Sequence, residues 1–201
     1  MEEKIIGLVL AGGKSRRFGE QKAFAKYDGK SFLQRSIEAL QGITDKMVIV
    51  GSSEVKMKLP SSLQKLFIHD VTSFKGKGPL AGIYSGMEYE NGDWYFVLPC
   101  DMPLVNQEVM NEIYKHRHPS YDIVIPSIYG KIHPLIGLYH PRLKPTLFNL
   151  LKNEQYRMMT LIERVNVKYI NEQNFINHEV FTNVNDKETL NQIQSLTKER
   201  E

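Results

Sequence analysis

Six consecutive apolar or small residues, Ile5–Leu10, break off into Ala11, Gly12 and Gly13. A continuous run of that length ended by paired glycines predicts a buried strand leaving a sheet into a tight turn, and marks it as the central strand. Ser31 predicts a helix N-cap, with Phe32, Leu33, Ser36, Ile37 and Leu40 sharing one face at helical spacing and Gly42 as the stop. Residues 47–50 and 66–68 predict two more buried strands, and 94–98 a fourth that Pro99 stops. Between them, Pro79 sits in the first turn of a predicted helix over 79–90. Downstream, 106–115 is amphipathic, 123–125 and 135–139 are apolar, 143–152 and 156–165 read as helical, 167–170 as a strand and 187–196 as a last helix.

Strands that alternate with helical segments predict an α/β fold with a mostly parallel central sheet, its parallel strands buried on both faces and flanked by helices. No internal repeat or Pro- or Ser-rich linker interrupts the pattern, and 201 residues suit one domain, 1–201, with 197–201 as a polar frayed tail. Composition changes little. The chain is 41% hydrophobic and 24% charged, mean hydropathy is −0.36, and no apolar run approaches the about 18 residues of a membrane span. The lone Cys100, the lack of a glycosylation sequon and a start without signal-peptide features point to the cytoplasm and away from membranes.

The net charge of +3 comes from 26 Lys and Arg scattered among 23 acids. That pattern excludes a basic stripe for nucleic acid and fits a small anion held by a few cations. Those cations gather at 10–22, Leu-Ala-Gly-Gly-Lys-Ser-Arg-Arg-Phe-Gly-Glu-Gln-Lys, which couples a strand end to a glycine turn whose backbone N–H groups can cradle phosphate. It is no Walker A loop, since Phe18 stands where that loop needs its second glycine, and no dinucleotide fingerprint. A glycine turn before a solvated basic loop is the plainer alternative.

This string resembles the nucleotidyltransferase signature L-x-G-G-x-S-x-R-[FM]-G-x-x-K. With 78–83 (Gly-Pro-Leu-Ala-Gly-Ile), 99–103 (Pro-Cys-Asp-Met-Pro), 133–139 and 181–185 (Phe-Thr-Asn-Val-Asn) in the same order, almost the whole chain resembles the molybdenum cofactor guanylyltransferases, the MobA family. The resemblance implies transfer of GMP from GTP to molybdopterin with Mg2+ and release of pyrophosphate, and other cofactor-biosynthesis proteins and molybdoenzymes as partners. It implies nucleotide contacts from Leu10, Ala11, Gly12, Gly13, Lys22, Ser52, Asp70, Gly78, Pro79, Leu80 and Asp101. Acceptor contacts are expected from Asn183, Asn185, His133 and Arg157.

The residue types suit that chemistry. Asp101 follows an apolar strand and is flanked by prolines, so it lies at the sheet edge where α/β crevices bind ligands; as a Mg2+ ligand, one carboxylate plus substrate phosphates is sufficient. The alternative is an Asp in a turn before proline. Arg17 and Lys22 are the cations for the phosphates and the leaving pyrophosphate; each has a surface ion pair as its alternative. Leu80 and its neighbours offer backbone and apolar surface to a base or ribose. Asn183 and Asn185 alternate about Val184 and share one side of an extended segment, although Asn185-Asp186 would equally cap the last helix. Cys100 has no adjacent base and reads as a small buried residue. A related enzyme using CTP or another phosphorylated acceptor, and a non-catalytic GTP-binding accessory protein, are the competing functions.

Overall fold

The computed structural model describes residues 3–13, 18 and 21–198, with the side chains of 196–198 excepted. Strands are β1 (Ile5–Leu10), β2 (Lys26–Tyr27), β3 (Lys30–Ser31), β4 (Lys46–Val50), β5 (Phe67–Ile68), β6 (Trp94–Pro99), β7 (Ile123–Ile128), β8 (Lys131–Ile132), β9 (Gly137–Tyr139) and β10 (Val167–Asn171). Helices are α1 (Phe32–Leu40), α2 (Ser53–Lys58), α3 (Ser61–Gln64), α4 (Pro79–Tyr89), α5 (Gln107–Lys115), α6 (Lys144–Lys152), α7 (Met158–Ile162) and α8 (Lys187–Lys198).

The main sheet runs β10-β7-β9-β6-β1-β4-β5, with β8 hairpinned onto β7. β1 lies between β6 and β4, parallel to both, and β7 and β10 point the same way; only β9 and β8 run against them. The central parallel strands β1 and β6 are therefore buried on both faces, as their unbroken apolar runs require, whereas the edge strand β10, of mixed polar and apolar residues, buries only Ile170 fully. One face packs on α1 and α5, with Leu33, Leu40, Val109 and Ile113 in its core, and the other on α4, α6 and α7, with Leu80, Ile83, Leu147 and Leu161. A third cluster joins Phe18, Ala25, Tyr27 and Phe32 to Val184 and Ile193 near the C-terminus.

The inserted strand β9 depends on a glycine. A Cβ on Gly137 would collide with the Val124 carbonyl oxygen and the Ile125 side chain, so only glycine lets β9 wedge between β6 and β7. Three expectations need correction. Pro99 does not stop β6 but pairs with Leu10 as its last residue, a position where a missing N–H costs nothing because Cys100 N–H supplies the next bond to the Leu10 carbonyl. The predicted helix at 156–165 is only Met158–Ile162, since Arg157 is extended and caps it. The last helix continues past 196 to Lys198, two residues into the expected tail.

Candidate active site at the carboxyl edge of the sheet

Because β1, β4, β5 and β6 are parallel, the segments that follow them gather on one edge: 11–13, 51–52, 69–70 and 100–101. Ala11 N–H is tied to the Val50 carbonyl at 2.8 Å, which fixes where the glycine turn begins. Gly13 has φ +136°, a backbone that L side chains rarely adopt, and a Cβ built on Gly12 or Gly13 would meet no atom of the described residues within 4 Å. Among the described residues no side chain covers the backbone of this turn, the geometry an anion cradle needs. Leu10 is in the core, so it can offer only main-chain atoms. Arg17, with Lys14, Ser15, Arg16, Gly19 and Glu20, lies outside the described residues.

Lys22 opens a short 3-10 turn, Lys22–Phe24, anchored by the buried Ala23. Its ammonium lies 3.1 Å from Asp101 Oδ2 and donates at 2.7 Å to Asn185 Oδ1. Residues separated by 79 and 163 positions in sequence therefore meet at one nitrogen. The Lys22 and Asp101 side chains are 12% and 26% exposed, open enough for a ligand and dry enough for charge to act strongly. Asp101 Oδ1 is buried and has no hydrogen-bond partner among the described residues. An ionised oxygen so placed costs energy unless a cation or donor completes it.

Asp70 stands two residues beyond β5, and its Oδ2 accepts from Gly76 N–H at 2.9 Å, closing the 70–78 loop. Ser85 locks that loop to α4: its Oγ accepts from Val71 N–H at 2.8 Å and donates to the Ala81 carbonyl at 2.7 Å. Phe74 seats the loop edge-on against Tyr84 and Phe148. Sequence reasoning missed Ser85, though a serine among the apolar positions of a buried helix was the signal. Gly78 caps α4 and Pro79 takes its first turn, with no side chain capping the N-terminus. Across from it the Lys77 ammonium lies 5.1 Å from the Tyr156 ring centroid, bringing the exposed Arg157 to the same end of α4.

Several expected contacts change character. Leu80 is fully buried against β1, so its side chain cannot press on a base. Ser52 Oγ accepts from Val55 N–H at 3.4 Å as the N-cap of α2, a helix not expected from sequence. His133 is 7% exposed, its ring 5.0 Å from that of Phe181, and burial followed by the charge of Lys131 pushes its pKa down to about 4. It is a neutral packed ring, not an open cation. Asp186, not Asn185, caps α8 by accepting from Thr189 N–H, which leaves the Asn185 amide oxygen on Lys22; Asn183 is exposed. Cys100 is buried and its thiol pushed up to about 12, chiefly by desolvation, as its reading as a structural residue expects. Among the described residues no cluster of three His, Cys, Asp or Glu can hold a metal, and no helix is long and apolar enough to cross a membrane.

The chain and its fold have counterparts among known proteins. The chain is 41% identical over 192 residues to a protein of Bacillus cereus (strain ATCC 10987 / NRS 248) named probable molybdenum cofactor guanylyltransferase, covering 95% of this chain and 96% of that one. A Bacillus anthracis protein of the same name is 39% identical over the same span. Among solved structures, molybdopterin-guanine dinucleotide biosynthesis protein A from Archaeoglobus fulgidus superposes with a TM-score of 0.80 at 24% identity, covering 96% of this chain and 99% of that one. The 2-C-methyl-D-erythritol 4-phosphate cytidylyltransferase of Thermus thermophilus shares the fold, with a TM-score of 0.70 at 12% identity and coverage of 95% and 98%. The model of the MobA-like NTP transferase domain matches residues 7–169, a stretch that takes in the glycine turn, Lys22, Asp70 and Asp101, and the chain belongs to that family.

Proposed function

We propose that the protein transfers GMP from GTP to molybdopterin, forming the guanine dinucleotide of the molybdenum cofactor and releasing pyrophosphate. The observation that carries this reading is the meeting of Lys22 and Asp101 beside an open glycine turn, in a chain about 40% identical over nearly its full length to proteins named for that activity. In the reaction, an acceptor phosphate oxygen forms a bond to the α-phosphorus of GTP as the bond to the β-phosphate oxygen breaks. The acceptor phosphate is already anionic near neutral pH, so no side chain need remove a proton. The remaining obstacle is bringing two anions together, which orientation and positive charge overcome.

The Gly12–Gly13 backbone and Lys22 hold the phosphates, and Arg17 adds a second cation. Asp70 and the backbone of 78–80 face the nucleoside, while Arg157 and Asn183 face the acceptor. The buried, unpartnered Oδ1 of Asp101 fits a divalent cation, and Asp101 would hold Mg2+, which supplies charge neutralisation at the phosphates. GTP as donor and a single buried thiol suit a cytoplasmic reaction. The test is pyrophosphate release measured with each of the four NTPs, with and without molybdopterin. Release confined to GTP and dependent on molybdopterin is expected. Equal release with CTP, or release independent of the acceptor, would overturn the assignment.

A further inference from the structure

We infer that Asn185 is a positioning residue for Lys22, not an acceptor ligand, and that the 182–186 segment is a strap that assembles the phosphate end of the site from the far end of the chain. Three contacts carry this. Asn185 Oδ1 accepts from the Lys22 ammonium at 2.7 Å, on the nitrogen that also meets Asp101 Oδ2 at 3.1 Å. One residue earlier, Val184 N–H donates to the Asp101 carbonyl at 2.9 Å, so the strap grips the backbone of the residue whose side chain faces Lys22. Val184 itself is fully buried with Phe18, Ala25, Tyr27 and Phe32, the residues that surround the chain on either side of Lys22.

The geometry also excludes the plainer structural role. α8 begins at Lys187 with Asp186 holding Thr189 N–H, so the helix needs nothing from Asn185. A long, flexible ammonium loses rotamer freedom when it binds, and an acceptor fixed on a pinned backbone removes part of that freedom before a phosphate arrives. A neutral amide suits this task. It orients the cation without cancelling the charge that the phosphates need, and a carboxylate there would add a second anion beside Asp101.

The inference rests on the reading of Lys22 as a phosphate ligand, and a double-mutant cycle separates the two. The affinity of the Mg2+ complex of α,β-methylene GTP is measured by calorimetry for the wild type, K22A, N185A and K22A/N185A, with no acceptor present. Asn185 is exposed, so its truncation leaves the core packed. N185A should weaken binding by about three- to tenfold in the wild-type background and have no further effect in K22A. An unchanged affinity for N185A, or the same loss in both backgrounds, would overturn the positioning role. K22A binding as tightly as wild type would overturn the phosphate assignment beneath it, a result visible before Asn185 is altered. A uniform loss in all variants that tracks a lower thermal midpoint would return Asn185 to a structural part and likewise overturn the inference.

Discussion

Ser85 offers the sharpest test of how the fold sets up the nucleoside side of the site. Its hydroxyl is 1% exposed and joins α4 to the turn after β5 through Val71 N–H, the residue next to Asp70. Ser85→Ala removes the acceptor and leaves that donor in a half-buried position, a cost of about 1–3 kcal/mol. Alanine returns about 0.5 kcal/mol through its better helix propensity. The Ala81 carbonyl keeps its place within α4, so losing the hydroxyl as donor adds little. The net loss is about 0.5–2.5 kcal/mol, and for a chain of this size each kcal/mol lowers the thermal midpoint by roughly 2–4 °C, giving a fall of about 1–10 °C. The same bond holds Asp70, so GTP affinity should fall while the rate at saturating GTP is kept. Thermal unfolding and GTP titration on one preparation read both. A midpoint within 1 °C of wild type would refute the hydrogen-bond accounting. A lowered midpoint with unaltered GTP affinity would refute the link to Asp70.

Other outcomes follow from the same geometry. Asp101→Ala should cut Mg2+-dependent pyrophosphate release by about a hundredfold or more while the circular dichroism spectrum stays native, and wild-type turnover in that variant would remove Asp101 from the site. Lys22→Ala should weaken GTP binding by about 1.5–3 kcal/mol, read by calorimetry. Cys100, with its thiol held near 12 and buried, should resist a disulfide-exchange reagent at pH 8 until the protein is unfolded; rapid native labelling would contradict its placement. His133 is held neutral with its folded pKa near 4, below the ordinary 6.5 of an unfolded histidine. Protonation therefore favours the unfolded chain, and this residue's share of stability, full above pH 6.5, is lost as pH falls from 6.5 towards 4. Urea unfolding of wild type and His133→Gln across that range should show a slope that the variant lacks in part.

The central strands β1 and β6 were legible in the sequence because burial on both faces leaves unbroken apolar runs, and the phosphate turn was legible because Gly12 and Gly13 end such a run. Direction was not. Nothing in the apolar residues of 135–139 says that β9 runs against its neighbours, since hydrophobic pattern records burial and not polarity. The β2–β3 hairpin had a signal that went unread. Asp28 and Gly29 carry φ values of +48° and +74°, the positive pair that Asp-Gly turns adopt between short antiparallel strands. Ser52 was expected as a ligand from the family resemblance; only the fold shows that Val55 N–H, three residues on, donates to its hydroxyl. The meeting of Lys22 with Asn185 is invisible to any local pattern, as it is made by packing Val184 among aromatic side chains from the other end of the chain.

The wedged strand β9 also bears on how the chain is made. β6 completes its pairing with β1 as soon as residue 99 is available, but its other edge waits for residues 137–139, roughly 40 positions later. At about 5–20 residues per second of synthesis, that edge of a nascent chain stays open for some seconds. It is a fully apolar strand with a row of unsatisfied backbone groups, the kind of surface that recruits other chains. The hazard during biogenesis therefore concentrates on one side of one strand. Gly137 is the residue that removes it, because without its bare Cα the closing strand cannot enter, and substitutions there should reveal themselves first as poor yield of soluble protein rather than as slow catalysis.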